Sequence, residues 1–427
     1  MIESEVEQVT ALTQRLAAAT LALDDRGRID LLGALEDLKN AAAACQGRLA
    51  ADLDAAARAA DAERGLPAAR RGRGVAAQVA LARRESVHLG TQHLGLAKVL
   101  RDEMPHTEAA FRAGRIGEWR ATLLARETAC LSFEHRQVVD VVLAGDADAL
   151  AARGDGELVA EAQKLAYRLD PRSFVERRAR AESDRHVSVR PAPDVMTRLS
   201  ALLPVKDGVG VHASLRAAAD AAIAAGDGRS RGQLMADLLV ARVTGRSDDS
   251  GGTSVSVTVD VVVPDTVLTG RSDEAGHVDG YGPVPADLAR ELAEHADWLR
   301  RLYAEPATGS LVAMDSVARI FPDGLKRFLH LRDRTCRVPW CDAPVRHADH
   351  VRDVATGGPT SAVNGQGLCQ AHNHAKQAHG WQARPRPGPR HTVVATTPTG
   401  HTYVSCAPAA RDPRYVETRA GVWTLVA

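Results

Sequence analysis

Alanine and leucine recur at helical spacing from Ile2 to Leu23 and again from Asp30 to Arg64, interrupted by Asp24-Asp25-Arg26-Gly27. Apolar residues three and four apart share one helix face, so the pattern predicts an antiparallel helical pair. Gly65-Leu66-Pro67 ends it, and Arg70-Arg71-Gly72-Arg73-Gly74 reads as a basic linker. Short helices are expected over Val75 to Arg84, Ser86 to Glu103, Thr107 to Ala113 and Gly117 to Thr128, punctuated by Pro105 and Gly114, with more helix to about Glu182.

Beyond that the periodicity changes. His186 to Arg190 alternates like a strand, Ala213 to Ala225 is helical, and Ser254 to Val263 alternates with period two after a polar, glycine-rich link from Thr244 to Thr253. Pro285 opens a helix through Tyr303, and Leu311 to Asp315 suggests a strand. Val345 to Val351 suits a short strand, Gly357-Gly358-Pro359 a turn, Leu368 to His379 a helix, and Thr392 to Ser405 a hairpin turning at Thr399-Gly400. The fold class expected is mainly α with a small α+β C-terminal module. Its parts are a helical domain (1–182), a mixed helix/strand region (183–325), a compact module (326–390) and a C-terminal hairpin and tail (391–427).

The chemistry concentrates between Cys336 and Lys376. Cys336-x₄-Cys341 and Cys369-x₂-His372 are two short-spaced pairs of soft ligands separated by a longer segment, the arrangement by which a chain closes a tetrahedral site on zinc. The 27 residues between the pairs are too few for an independent core, so zinc would act as a structural staple. Coincidence is the competing explanation. Cysteine is used sparsely elsewhere, at Cys45, Cys130 and Cys406 only. A second set, Asp349, His350, Asn364 and Asn373, can hold a harder ion and a general base.

Asp349-His350, Asn364 before Leu368-Cys369, and Asn373-x₂-Lys376 together resemble the HNH endonuclease motif, with its ββα-metal fold. That resemblance implies that Asp349 ligates a divalent ion and that His350 deprotonates water. It also implies that Asn364 orients the imidazole through its side-chain or backbone carbonyl, and that Asn373 completes the metal site. Oxygen ligands favour magnesium or manganese over zinc. The last motif position is often histidine; here Asn373 lies between His372 and His374, and His374 is the alternative ligand. Asn373 is preferred because Lys376 then falls into its own motif position. The expected products carry 5′-phosphate and 3′-hydroxyl ends. Arg83-Arg84-Glu85-Ser86, Gly114-Arg115-Ile116-Gly117-Glu118-Trp119-Arg120, Gly280-Tyr281-Gly282-Pro283 and the segment from Arg334 to Cys341 resemble landmarks of a family widespread in high-GC bacteria. That family joins a helical domain of unknown function to a C-terminal HNH module.

Charge bears on the partner. The whole chain balances 54 basic against 54 acidic residues, but 326–390 holds eleven Lys and Arg against four Asp and no Glu. Such a segment suits a phosphate backbone, with Lys376, Arg346 and Arg352 as candidate DNA contacts. The plainer explanation is an arginine-rich solvated surface. Arg83, Arg84, Arg112, Arg115 and Arg120 similarly fit either a helix-turn-helix-like unit or an ordinary bundle with Trp119 in its core, and the bundle is the simpler reading. Trp340 and Trp381 are expected to cap the module as core residues. The acidic N-terminus lacks a signal-peptide core, and no apolar run approaches the roughly 20 residues needed to span a bilayer. A cytoplasmic location without membrane contact is therefore expected.

The sequence thus predicts a metal-dependent DNA endonuclease with structural zinc and catalytic magnesium or manganese. The alternative is a non-cleaving zinc knuckle that docks the helical domain on nucleic acid. One such centre cuts one strand, so double-strand cleavage would need a homodimer or two successive events.

Overall fold

The computed structural model describes residues 2–19, 22–245, 261–278, 280–294, 321–409, 414–419 and 422–426. The chain is mainly helical, with small sheets toward the C-terminus. Its helices are α1 (Ile2–Ala18), α2 (Asp25–Glu63), α3 (Val75–Arg83), α4 (Val87–Glu103), α5 (Pro105–Arg112), α6 (Glu118–Glu127), α7 (Phe133–Ala144), α8 (Ala147–Ala152), α9 (Asp155–Leu169) and α10 (Pro171–Ser183), followed by α11 (Val205–Ala224), α12 (Arg231–Thr244), α13 (Asp265–Leu268), α14 (Ala286–Glu294), α15 (Asp323–Asp333) and α16 (Gln370–Lys376). The strands are β1 (His186–Ala192), β2 (Met196–Leu202), β3 (Val261–Val262), β4 (Gly276–Val278), β5 (Gly282–Val284), β6 (His347–His350), β7 (Gly365–Leu368), β8 (Gln382–Arg386), β9 (Thr392–Thr396), β10 (Thr402–Cys406), β11 (Arg414–Arg419) and β12 (Val422–Val426). Every sheet is antiparallel, in the orders β1-β2, β3-β4-β5, β6-β7, β10-β9-β8 and β11-β12.

Two compact units emerge, and they do not follow the expected boundary at residue 182. One comprises Met1–Ala56 with His93–Phe174, the other Ala57–Gln92 with Val175–Ala427. The first has a core of Leu100, Met104, Phe111, Ile116, Leu124, Val139, Leu150 and Leu158. Within it, buried Asp140 accepts from the His106 and Thr107 N–H groups at 2.7 and 2.9 Å, satisfying donors that the start of α5 would otherwise leave unpaired. Arg120 donates to the Leu150, Ala151 and Arg153 carbonyls at the end of α8.

These contacts favour the bundle over the helix-turn-helix reading, because most of the five guanidinium groups are paired with acidic side chains. Arg115 pairs with Asp148, Arg120 with Asp155 and Arg83 with Glu85. Trp119 departs from expectation: it is 58% exposed, with the Arg126 guanidinium 5.8 Å from its ring. Nor do α1 and α2 bury one another's apolar residues, since Val6, Val9, Ile29 and Leu32 all remain more than 60% exposed.

In the second unit the expected linker is a packed corner. Asp61 accepts from the Gly72 N–H at 2.8 Å, and Arg58 and Arg71 donate to the Arg71 and Leu66 carbonyls. Gly74 has φ +86°, and a Cβ there would meet Trp381 Nε1 at 2.6 Å, so glycine is required on both counts. The corner brings α3 against α16. Ala77 and Val87 join Cys336, Cys341, Leu368, Cys369 and Ala375 in one core, with Trp381 packed beside it. Segment 57–92 thus belongs to the C-terminal unit by burial, whatever its position in the chain.

The strand at His186, the turn at Gly357 and the hairpin at Gly400 match the pattern, and the helix expected over 213–225 starts earlier, at Val205. Strands β2, β7 and β8 and helix α12 do not announce themselves in it. The strand expected at Leu311–Asp315, and most of that expected over 254–263, lie outside the described residues, as do most of the link before it and the end of the helix from Pro285.

Arg332, Asp333 and Arg337 form the frame of the C-terminal unit. Arg332 pairs side-on with Asp333 at 2.7 and 2.9 Å and donates to the Gly365 carbonyl, Asp333 accepts from the Gly367 N–H at 2.7 Å, and Arg337 donates to the His391 and Ser405 carbonyls. One buried carboxylate thereby joins α15, β7 and the β9–β10 region. Asp333→Ala leaves two buried guanidinium groups without their counter-ion, which costs about 3–5 kcal/mol. The urea midpoint of the C-terminal unit is expected to fall accordingly, and an unchanged midpoint would show that the frame does not support this unit. Two of the eleven basic residues are thereby removed from the surface charge that the composition suggested.

Candidate functional site

Cys336, Cys341, Cys369 and His372 come together as their spacing predicts. All four are buried, and their ligand atoms lie within 4.8 Å of one another. The first pair sits on a knuckle closed by Cys336 N–H to the Ala343 carbonyl at 2.9 Å, with Trp340 at φ +60° turning the chain into Cys341. The second pair is one helical turn apart: Cys369 is the N-cap of α16, its Sγ accepting from the His372 N–H at 3.4 Å.

The distances test the fit to a metal. Cys336 Sγ and Cys369 Sγ are 3.4 and 3.5 Å from His372 Nδ1, and Cys341 Sγ is 3.9 Å from Cys369 Sγ. A zinc tetrahedron with bonds of about 2.3 Å to sulfur and 2.0–2.1 Å to nitrogen has edges of about 3.5–3.8 Å. The set therefore fits zinc in ligand type, number and spacing. Donation from the Cys336 and Cys341 sulfurs holds the Cys369 thiol far below the thiol range. Burial pulls His372 down, but Cys341 and Cys369 outweigh it and raise it to about 9. A metal entering this site must displace protons.

Directly after the knuckle, β6 pairs with β7 in the register Asp349↔Gln366 and His350↔Gly365, and α16 follows β7. Neighbours on a strand point to opposite faces, so Asp349 and His350 have separate surroundings. Asp349 Oδ2 accepts from Lys376 Nζ at 2.8 Å and from Gln366 Nε2 at 3.1 Å. Lys376 also donates to the His350 carbonyl and to Asp353 at 3.0 Å. Its ammonium is therefore committed to the site, a correction to its expected role as a phosphate contact.

The His350 ring stands 4.4 Å from Phe321, whose core partners are Leu325 and Leu329. Burial lowers the imidazole pKa, opposed by Asp349 and assisted by Lys376, so the ring is neutral near pH 7. Its Nε2 is 2.8 Å from Thr360 Oγ1. Asn364 does not reach the imidazole as expected. Its Oδ1 accepts from the Arg352 N–H at 2.9 Å, its Nδ2 donates to the Arg352 and Pro359 carbonyls, and its own carbonyl accepts from the Val351 N–H at 2.7 Å. Those bonds close the loop between β6 and β7, because one amide has only one acceptor and two donors to offer.

Asn373 is half-buried on α16, three residues before Lys376 and so on the same helix face, while its backbone N–H donates to the Cys369 carbonyl. The described contacts include none between Asn373 and Asp349. His374 is exposed, Arg346 is exposed beside β6, and the Arg352 guanidinium bonds the Thr356 carbonyl. Trp381 packs against the core around the cysteines as expected, whereas Trp340 is 44% exposed, edge-on to Tyr403 at 6.1 Å. Thr360, Gln366, Asp353 and Phe321 escaped the sequence reading. Only Thr360 carried a signal, by its place directly after Gly357-Gly358-Pro359.

Among the described residues, no helix is long and apolar enough to cross a membrane. Residues 32–333 match the profile of a domain of unknown function, DUF222. The match stops short of Cys336. An uncharacterized protein of Mycobacterium tuberculosis is 34% identical over 134 residues, 31% of this chain and 24% of that relative. A second is 34% identical over 129 residues and 22% of its own length, so the chain spans about a quarter of these relatives. A third uncharacterized M. tuberculosis protein is 26% identical over 335 residues, 71% of each chain. No solved structure matches.

Proposed function

From the premise that this chain belongs to the DUF222 family, we propose that its chemistry lies beyond the family-matching segment and is hydrolysis of DNA phosphodiester bonds by an HNH-type site. The observation that carries this reading is the Asp349, His350 and Lys376 cluster, presented by a hairpin and helix whose junction is clamped by the Cys₃His set. His350 is the general base: a neutral imidazole at pH 7 takes the proton of the attacking water. Thr360 and Phe321 hold the ring. Asp349, with Asn373 from the adjacent helix face, would hold magnesium or manganese, which when bound supplies neutralisation of the charge that develops on phosphate. The Lys376 ammonium now pairs with Asp349 Oδ2, so it would have to share or release that oxygen when the ion binds. The four Cys/His ligands would hold zinc structurally.

Exposed Arg346, Arg384 and Arg386 are the side chains available to a phosphate backbone. The test is supercoiled plasmid incubated with purified protein in magnesium, manganese or EDTA. Nicked circles are expected with either ion and none with EDTA. Folded, zinc-loaded protein that binds plasmid and leaves it intact with both ions would instead assign the module to binding, as a zinc knuckle.

A further inference from the structure

We infer that Thr360 is a positioning residue that holds the His350 imidazole in its Nε2–H tautomer and so leaves Nδ1 as the basic nitrogen. The inference rests on the nuclease reading for its consequence and on hydrogen-bond geometry for its content. A nitrogen that takes a proton from water must be unprotonated and reachable. Nε2 is 2.8 Å from Oγ1 of buried Thr360, so the threonine hydroxyl is the hydrogen-bond partner of that nitrogen. Among the described contacts Nδ1 has no protein partner. A base acting through Nδ1 requires the proton on Nε2, with the threonine hydroxyl accepting it. A base fixed by a third group is the general arrangement for side chains that move protons.

The loop that delivers Thr360 is built to a single conformation. Asn364 donates to the Pro359 carbonyl at 2.8 Å and to the Arg352 carbonyl at 3.0 Å, gripping both ends of the turn. The Gly358 N–H donates to the Asp353 carbonyl at 3.0 Å. A Cβ at Gly358 would lie 1.8 Å from the Arg352 carbonyl oxygen, so this backbone approach admits glycine alone. At the next residue Ser361 Oγ accepts from the Asn364 N–H at 3.1 Å. Threonine itself, branched at Cβ, has few χ1 choices, which suits a hydroxyl that must hold one direction. The buried Asn364 amide thus acts on the imidazole indirectly, by fixing the turn from which Thr360 reaches it.

The test compares full-length wild type, Thr360→Val and Thr360→Ser. Ring nitrogens are read by long-range ¹H–¹⁵N correlation, with the His350 signals identified by their loss in His350→Gln. Wild type and Thr360→Ser are expected in the Nε2–H form, and Thr360→Val as a mixture of tautomers with zinc content unchanged. Plasmid cleavage by Thr360→Val is expected to lose about tenfold in kcat at constant KM, the worth of one hydrogen bond, with the serine variant restored. An Nδ1–H form in wild type, or a valine variant that keeps both tautomer and rate, overturns the inference. Loss of the tautomer preference in Thr360→Val, in a protein that cuts no DNA, upholds the positioning role and removes the nuclease reading instead.

Discussion

Protein carrying His350→Ala is expected to leave supercoiled plasmid uncut under conditions in which wild type nicks it. A positioned general base contributes roughly 10²–10⁴-fold, and alanine has no group that can take its place. The loss should be one of chemistry. His350 is not among the four buried Cys/His residues, whose sulfurs and imidazole lie within 4.8 Å of one another. Its ring contributes a contact with Phe321, while Leu325 and Leu329 fill the rest of that core, so the module should survive its removal. Zinc stoichiometry, far-ultraviolet circular dichroism and DNA affinity measured beside the cleavage rate separate the two effects. Undiminished nicking by the variant would withdraw His350 from the reaction.

Cys369→Ala is expected to have the largest effect on the fold. The thiol is a candidate metal ligand and also the N-cap of α16, so its loss would remove a metal bond and the acceptor for the His372 N–H together. Apparent binding energies of structural zinc in small domains are about 10–16 kcal/mol, comparable with the whole stability of a domain. The damage should extend into a distant stretch of the chain. Ala77 and Val87 share their core with Cys336, Cys341 and Cys369, and Thr399 Oγ1 bonds Gln78 at 3.1 Å. Losing the metal should therefore release segment 57–92 as well as the module, and unwind the end of α3 so that trypsin can cut after Arg83 and Arg84. The measurements are zinc by atomic absorption and the time course of tryptic cleavage at that pair. A variant with one zinc per chain and wild-type protection there would show that the ligand set is wrong.

The contrast between these two sites explains which features were legible in the sequence. Pairs of residues three to five apart are brought together by a turn or one helical turn, so Cys336 with Cys341 and Cys369 with His372 could be read from spacing alone. Helix positions were readable for the same reason: periodicity records which side of a helix meets the core, and Val75–Arg83, Val87–Glu103 and Pro105–Arg112 fall within about two residues of their expected limits. Composition was a poorer guide. Arginine counted as surface charge turned out at Arg332 and Arg337 to be buried around Asp333, because a count does not register which carboxylate lies opposite.

The chain's local chemistry thus determined the helical class, the Cys₃His set and the pairing of Asp349 with His350 on one strand. Tertiary structure decided what each side chain meets. It gave the imidazole to Thr360 in place of Asn364, put Lys376 on Asp349, left Trp119 exposed and moved segment 57–92 into the unit that holds the metal ligands. The physical reason is range. Backbone periodicity and short ligand spacing are fixed by bonds and dihedrals over a few residues, whereas hydrogen-bond partners and burial depend on which distant segments the packed core brings within about 3 Å of one another.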